Sequence, residues 1–517
     1  MKKRLEKLFV MLLMIALTTA CSENATMKHL LEQIPAESDV VMVGNVKIVV
    51  ESAGGSLEGS ELKLPSFIKD KLTDSNLKDY EEMNKFLSKS GIDSEACALV
   101  GNYDKNCSVL LFSLSDKDKF IDVIKEDGFN DSGADGNVAV YSKKSNSFSD
   151  DYGYIAINDT YAYWIDRIKA SGDFNPGQYL QDMIKKSKEK NYAETIYGEY
   201  ITDANAFGIA IKKSQELNKS LRNTIFILDV LSVYDGVVCM RGNLSGDKFT
   251  LDFKQYDKDG KEIGAEQFKE LMDVTAKIDD DALDMLGENE FLVYASSLKN
   301  VNWDKYTEII SQSSNLSRSN RAQINAMQGY FKKIDGTVAM GFGLTNGLES
   351  VRNLNAEKEM LSQFSTTMVV ETKEEDAKQL INEMKEFLKK LRIPYEDSES
   401  GLSVDMKQMG LSGSLYVKNK GNLIALANHP IQNNSKNVVA KSMDLDDYLF
   451  ALGIVLKKDN KLMQDLKLPN DVKLLSSCAS KTLETKMTLE INGGDKEGVI
   501  AKAAKIILSL ADYSEKL

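Results

Sequence analysis

The chain reads as an α+β protein of two tandem, structurally similar modules, each a meandering antiparallel sheet with helices packed on one face. Three observations predict this. Short apolar runs bounded by turn residues alternate with stretches whose apolar residues recur at helical spacing. The order of these elements in the first half is met again in the second. The length of 517 residues exceeds what one ordinary core covers, and 42% hydrophobic with 28% charged residues is a globular composition.

Ahead of the modules, Lys2, Lys3, Arg4 and Lys7 precede an apolar run from Leu8 to Leu17, and Thr18-Thr19-Ala20 then leads into Cys21. A basic start, a short apolar segment and small residues before a cut make a secretory signal. The run is about half the length that crosses a bilayer. Cys21 in this place resembles the lipobox cysteine of bacterial lipoproteins, whose thiol is lipidated and becomes the new N-terminus. Thr18 departs from that pattern, which usually has Leu there. Residues 1–20 are therefore expected to be a lipoprotein signal peptide and 21–33 a tether. Ser22 fits release to the outer membrane, as such lipoproteins behave.

The first module is expected over residues 34–280 and the second over 281–517. Asp39–Val46 reads as a buried strand, and Glu290–Ala295 answers it. Each leads through a helical stretch to another strand, Ala96–Gly101 and Thr337–Leu344. Ser108–Ser113 and Thr367–Thr372 then each feed a helix with an acidic first turn, which suits the positive end of the helix dipole. In the second of these helices Ala377, Leu380, Ile381, Met384, Phe387, Leu388 and Leu391 form one apolar stripe. Strands around turns follow at Val138–Tyr141, Tyr154–Ile157 and Tyr161–Trp164, with Leu402–Val404, Ser414–Val417 and Leu423–Leu426 as counterparts. Asp444, Asp446 and Asp447 are placed to cap a helix carrying Tyr448, Leu449, Leu452 and Ile454. Each half closes on a strand pair and a helix: Gly236–Leu244, Phe249–Tyr256 and Ala265–Lys277, then Leu474–Ser480, Leu483–Ile491 and Lys496–Leu510. Asp279–Gly287 reads as the junction between the modules.

The formal charge is −13; residues 1–20 carry a net +3, so the remainder stands at −16. An acidic surface with scattered Lys and Arg excludes nucleic acid as a partner, because that needs a basic patch.

Catalytic constellations are sparse. A nucleophile–His–acid arrangement needs an ordered histidine, and the chain has only His29, in the tether region, and His429, in Asn428-His429-Pro430. No Gly-rich phosphate or dinucleotide loop is present, so no cofactor is expected. Cys97 and Cys107 flank a turn and can be read as a disulfide or as buried thiols; no CxxC spacing supports zinc. Asp257 and Asp259 resemble half a calcium loop, or equally a plain Asp-Gly turn, and no other metal ligand set is expected. Tyr161 and Tyr163 fall on one face of a strand, where they would stack on sugar rings if exposed, or pack in a core.

Ile34-Pro35-Ala36-Glu37-Ser38, followed by the apolar strand Asp39–Val46 a few residues after a lipidated cysteine, resembles the start of an uncharacterised Bacteroidetes-type lipoprotein family, a domain of unknown function with two related α+β halves. The resemblance implies the architecture and a membrane attachment through lipid on Cys21, and carries over no catalytic residue. The expected role is a non-catalytic binding or scaffold protein of the cell envelope, at the outer membrane, with a protein or glycan partner. The alternative is a carboxylate-dependent enzyme or glycan-binding protein acting on envelope or dietary polysaccharide.

Overall fold

The computed structural model describes residues 25–105, 107–144, 151–169, 174–212, 236–312, 322, 326, 328–353, 360–398, 400–432, 436–443, 448–494 and 497–514. Cys21 and the signal lie outside the described residues. The protein is α+β with antiparallel sheets, divided into two compact units. Of the described residues, the first unit holds 25–212, 236–261 and 497–505, and the second holds 262–494 and 506–514. The boundary falls at 261/262 rather than 280/281, and residues 497–505 contribute to the first unit.

In the first unit the strands are β1 (Val40–Asn45), the hairpin β2 (Ser56–Glu58) and β3 (Glu61–Lys63), β4 (Ile92–Asn102), β5 (Cys107–Leu114), β6 (Asn130–Asp135), β7 (Val138–Lys144), β8 (Asp151–Ile157), β9 (Tyr161–Lys169), β10 (Phe207–Lys212), β11 (Gly236–Ser245) and β12 (Lys248–Asp257). The main sheet runs β12–β11–β10–β1–β4–β5–β9–β8–β7–β6, every pairing antiparallel. In the second unit they are β13 (Leu292–Leu298), β14 (Ile334–Leu344), β15 (Phe364–Thr372), β16 (Glu396–Ser398), β17 (Gly401–Asp405), β18 (Ser414–Lys420), β19 (Leu423–Ala427), β20 (Tyr448–Leu456), β21 (Asp471–Ala479) and β22 (Thr485–Asn492). Their order is β22–β21–β20–β13–β14–β15–β19–β18–β17–β16, again antiparallel throughout.

The helices used below are α1 (Ala25–Leu31), α2 (Val46–Ser52), α3 (Asp74–Ser90), α4 (Lys117–Glu126), α5 (Pro176–Glu189), α6 (Ile196–Thr202), α7 (Glu374–Leu391), α8 (Val438–Ser442) and α9 (Val499–Ser514). Local chemistry sets their ends. Asn45 Oδ1 accepts from Ile48 N to start α2, and Asp116 Oδ1 accepts from Lys119 N to start α4. Gly91 ends α3 in the left-handed region at φ 65°, where an added Cβ would collide with the backbone of Asp116.

Helices cover both faces of each sheet rather than one. In the first unit Val109 and Leu111 of β5 pack with Leu30 and Leu31 of α1, Leu180 of α5 and Ile201 of α6. The alternate residues Leu110 and Phe112 join Leu87 of α3 and Phe120 and Ile124 of α4. The second sheet shows the same division: Leu423 and Ala425 pack with Val439 of α8, and Ile424 and Leu426 with Ile381 and Leu388 of α7. Strands apolar at every position, such as Leu423–Ala427, can satisfy both sides only if both are covered.

Four further expectations are corrected. Within the expected tether 21–33, the described residues 25–33 are not a tether: α1 is a helix whose Met27, Leu30 and Leu31, with Ile34 beyond it, are at most 1% exposed and belong to the first core. Tyr448–Leu456 is strand β20, buried on alternate residues, and Asp444–Asp447 lie outside the described residues. Ala265–Lys277 forms only a short 3-10 turn at Ala265–Phe268, and Asp279–Gly287 is no bare junction, since Ala282, Leu283, Met285 and Leu286 enter the second core.

Candidate functional site

Alternation along the central strands of the first unit builds two different surfaces. Val41 and Val43 of β1, Ala96, Ala98 and Val100 of β4, and Ala210 of β10 face the core that holds α1, α5 and α6. The residues between them, Met42, Gly44, Cys97, Leu99, Phe207 and Ile209, point the other way and line a cavity of about 360 Å³. Asn45, Val46 and Val49 at the start of α2 close one side, Ile500 of α9 another, and Leu244 and Phe249 extend the floor onto β11 and β12. None of the lining residues is charged.

The register explains why there is a hole. Gly44 lies opposite Cys97 on one side and Phe207 on the other, so the middle strand offers no side chain in that row. Phe207 is in turn opposite Gly242, where an added Cβ would collide with its ring. The ring leans there instead, 6.2 Å from the ring of Phe249. A Cβ on Gly44 would meet nothing nearer than 3.8 Å, so the space above it is open. The wall from α9 is fixed by several bonds: Val499 N donates to Gly246 O, Ile500 N to Ser52 Oγ, and the buried Lys502 Nζ to Asp247 Oδ1 at 2.6 Å.

The second unit holds a polar cluster that sequence reading missed. Glu290 Oε1 accepts from Thr367 Oγ1 at 2.7 Å and faces His429 Nε2 at 3.1 Å, while Glu290 Oε2 accepts from Gly287 N at 2.8 Å. His429 Nδ1 faces Pro430 O at 3.2 Å. Both ring nitrogens thus meet acceptors, which suits the imidazolium. The hydrogen bond to Glu290 raises the His429 pKa above its ordinary value, against burial, which lowers it. Thr, His and Glu are the ingredients of a nucleophilic relay, but the connectivity is wrong. The acid should hold Nδ1 and the base Nε2 should face the hydroxyl. Here acid and hydroxyl share Nε2, and Thr367 donates to Glu290. The carboxylate of the cluster is wholly buried and the imidazole a quarter exposed. The cluster's members are separated by 62 to 139 residues in sequence, so no local motif signals it.

The residues singled out from sequence are not brought together. Tyr163 is fully buried in the first core, and burial pushes its phenol pKa up, so it offers no stacking face; Tyr161 packs beside that core. Cys97 stands opposite Phe112 and Cys107 opposite Asn102, five residues apart on the ladder. That is about 17 Å, beyond the reach of a disulfide, and among the described residues neither thiol forms one. Burial raises the Cys107 pKa. Asp257 Oδ1 accepts from Asp259 N and Lys261 N, which makes this segment a turn. Among the described residues no group of three His, Cys, Asp or Glu side chains is placed to hold a metal ion. Among the same residues no helix is long and apolar enough to cross a membrane.

No protein-family model matches the chain, and no curated protein does. Among solved structures, crystal forms I and IV of TP0453 are similar at 11% identity and a TM-score of 0.26 each. The matches cover 45% and 43% of this chain and 80% and 79% of those chains. Likeness at that level is too slight to speak to fold or function.

Proposed function

We propose that this chain is an envelope lipoprotein, held at the outer membrane by lipid on Cys21, that acts by binding rather than catalysis, and that its first unit binds an apolar ligand in the cavity over Gly44. The observation that carries the binding role is the lining: aliphatic and aromatic side chains with no charged group, around a volume within the range of small-molecule sites. A sugar or a nucleotide would leave its polar groups without partners there, whereas a hydrocarbon loses only its contact with water. The two units derive, on this reading, from one duplicated module. Each sheet visits its strands in the same order, starting from β1 and from β13, which supports that descent.

The test is saturable binding of a hydrophobic fluorophore without fused rings, such as diphenylhexatriene, to the full chain. One saturable site, lost when the cavity is filled, is the expected result; absence of saturable binding overturns the ligand reading. Membrane fractionation of Cys21→Ser tests the anchor, with release or failure of processing expected and unchanged attachment overturning it.

A further inference from the structure

We infer that the cavity takes a single unbranched acyl chain whose polar head remains in water. This rests on the reading that the cavity binds an apolar ligand, and adds the class of ligand.

The shape comes from the register. Leu99, Met42 and Ile209 stand opposite one another on β4, β1 and β10, and Cys97, Gly44 and Phe207 form the next row. With Leu244 and Phe249, the floor crosses five neighbouring strands. Strands lie roughly 4.8 Å apart, so the floor is roughly 19 Å long. A cavity of about 360 Å³ spread over a floor of that length suits an extended chain better than a compact ring system.

The chemistry agrees. No Lys, Arg or His lines the space, so neither a carboxylate nor a phosphate finds a counter-ion inside. The Asn45 side-chain oxygen already accepts from Ile48 N. The head of an amphiphile must therefore stay at the mouth, with only its chain enclosed. The walls that would touch that chain, Met42, Val49, Leu99, Ile209 and Ile500, are aliphatic side chains suited to a methylene chain, and Met42 is the most adaptable of them. The same chemistry belongs to a free fatty acid and to one chain of a membrane lipid.

Displacement of the bound fluorophore by octanoate, dodecanoate and palmitate, compared with naphthalene and a sterol, tests this on the full chain. Displacement that strengthens with chain length, with naphthalene and the sterol ineffective, is expected. Gly44→Ile puts a side chain into the open row and should weaken fatty-acid displacement by on the order of tenfold or more, with its unfolding midpoint as a control. Met42→Ala widens the channel and should let naphthalene begin to displace the fluorophore, a change that a purely structural role for Met42 would not produce. Displacement by naphthalene or the sterol but not by straight chains overturns the acyl assignment and leaves the apolar site standing. Failure of every compound, with no saturable fluorophore binding, overturns both. Native mass spectrometry of protein extracted from membranes then separates the two sources, since a retained fatty acid and a retained phospholipid differ in mass; either supports the assignment.

Discussion

His429 Nε2 lies 3.1 Å from Glu290 Oε1, with the carboxylate wholly buried and the imidazole a quarter exposed. The pair ties residues 139 positions apart into the second unit. A buried carboxylate that loses its partner is left as an uncompensated charge, so the pair matters more for what its loss would cost than for what it adds.

The first prediction concerns pH. Glu290 raises the His429 pKa in the folded state above the ordinary value of 6.5. A raised folded value means that the stabilisation is fully present below about pH 6.5 and is lost as pH rises through the folded pKa. Urea unfolding of the second unit should therefore show a midpoint that falls across that window. His429→Ala should abolish this dependence and cost about 3 kcal/mol at pH 6. A midpoint that rises from pH 6 to 8 contradicts the assignment.

A second prediction follows from the space around the carboxylate. Gly341 of β14 leaves room for Glu290, and an added Cβ would collide with Oε2. Gly341→Ala should destabilise the second unit by about 1–3 kcal/mol, as overpacking does. It should also move the His429 ring protons in an NMR spectrum, which a remote effect would leave in place. The carboxylate cannot retreat easily, since Gly287 N and Thr367 Oγ1 hold it from the other sides.

Leu31 provides the third. As part of a tether it would tolerate any change, but it is fully buried in the first core. Leu31→Ala should cost about 2–5 kcal/mol in chemical unfolding of protein lacking residues 1–20. A difference below about 0.5 kcal/mol would restore the tether reading.

Much of the local structure was legible because it depends on local pattern. The stripe of α7 through Ala377, Ile381 and Leu388, the acidic first turn after β15 and the hairpins of β7 to β9 follow from spacing and turn chemistry, although Phe387 and Leu391 of the expected stripe are exposed. Tyr448–Leu456 misled because a continuous apolar run has no period to distinguish strand from helix, and its pairing with β13 lies more than 150 residues away. The one-face expectation failed for the same reason, since runs such as Leu423–Ala427 bury both sides. Cys97 and Cys107 were correctly placed on one hairpin, yet a disulfide depends on register, which composition does not reveal. The cavity was illegible as well. It is made by Gly44 having no side chain in a row between Cys97 and Phe207, a fact about neighbours on three strands.

The participation of both α1 and Val499–Lys505 in the first unit orders the events of biosynthesis. A chain that emerges from its N-terminus exports Met27 and Leu31 early, and the rest of the first sheet is complete once β12 has appeared. Ile500 and Lys502 arrive almost last, after residues 262–494 of the second unit have been made. Until then the face over Met42, Gly44 and Leu99 lacks one wall and stands open to water. Vectorial synthesis thus leaves a greasy surface unshielded from the completion of β12 until residue 500 appears, about half of the 517 residues. A truncation just before residue 497 should reproduce that exposed intermediate in permanent form.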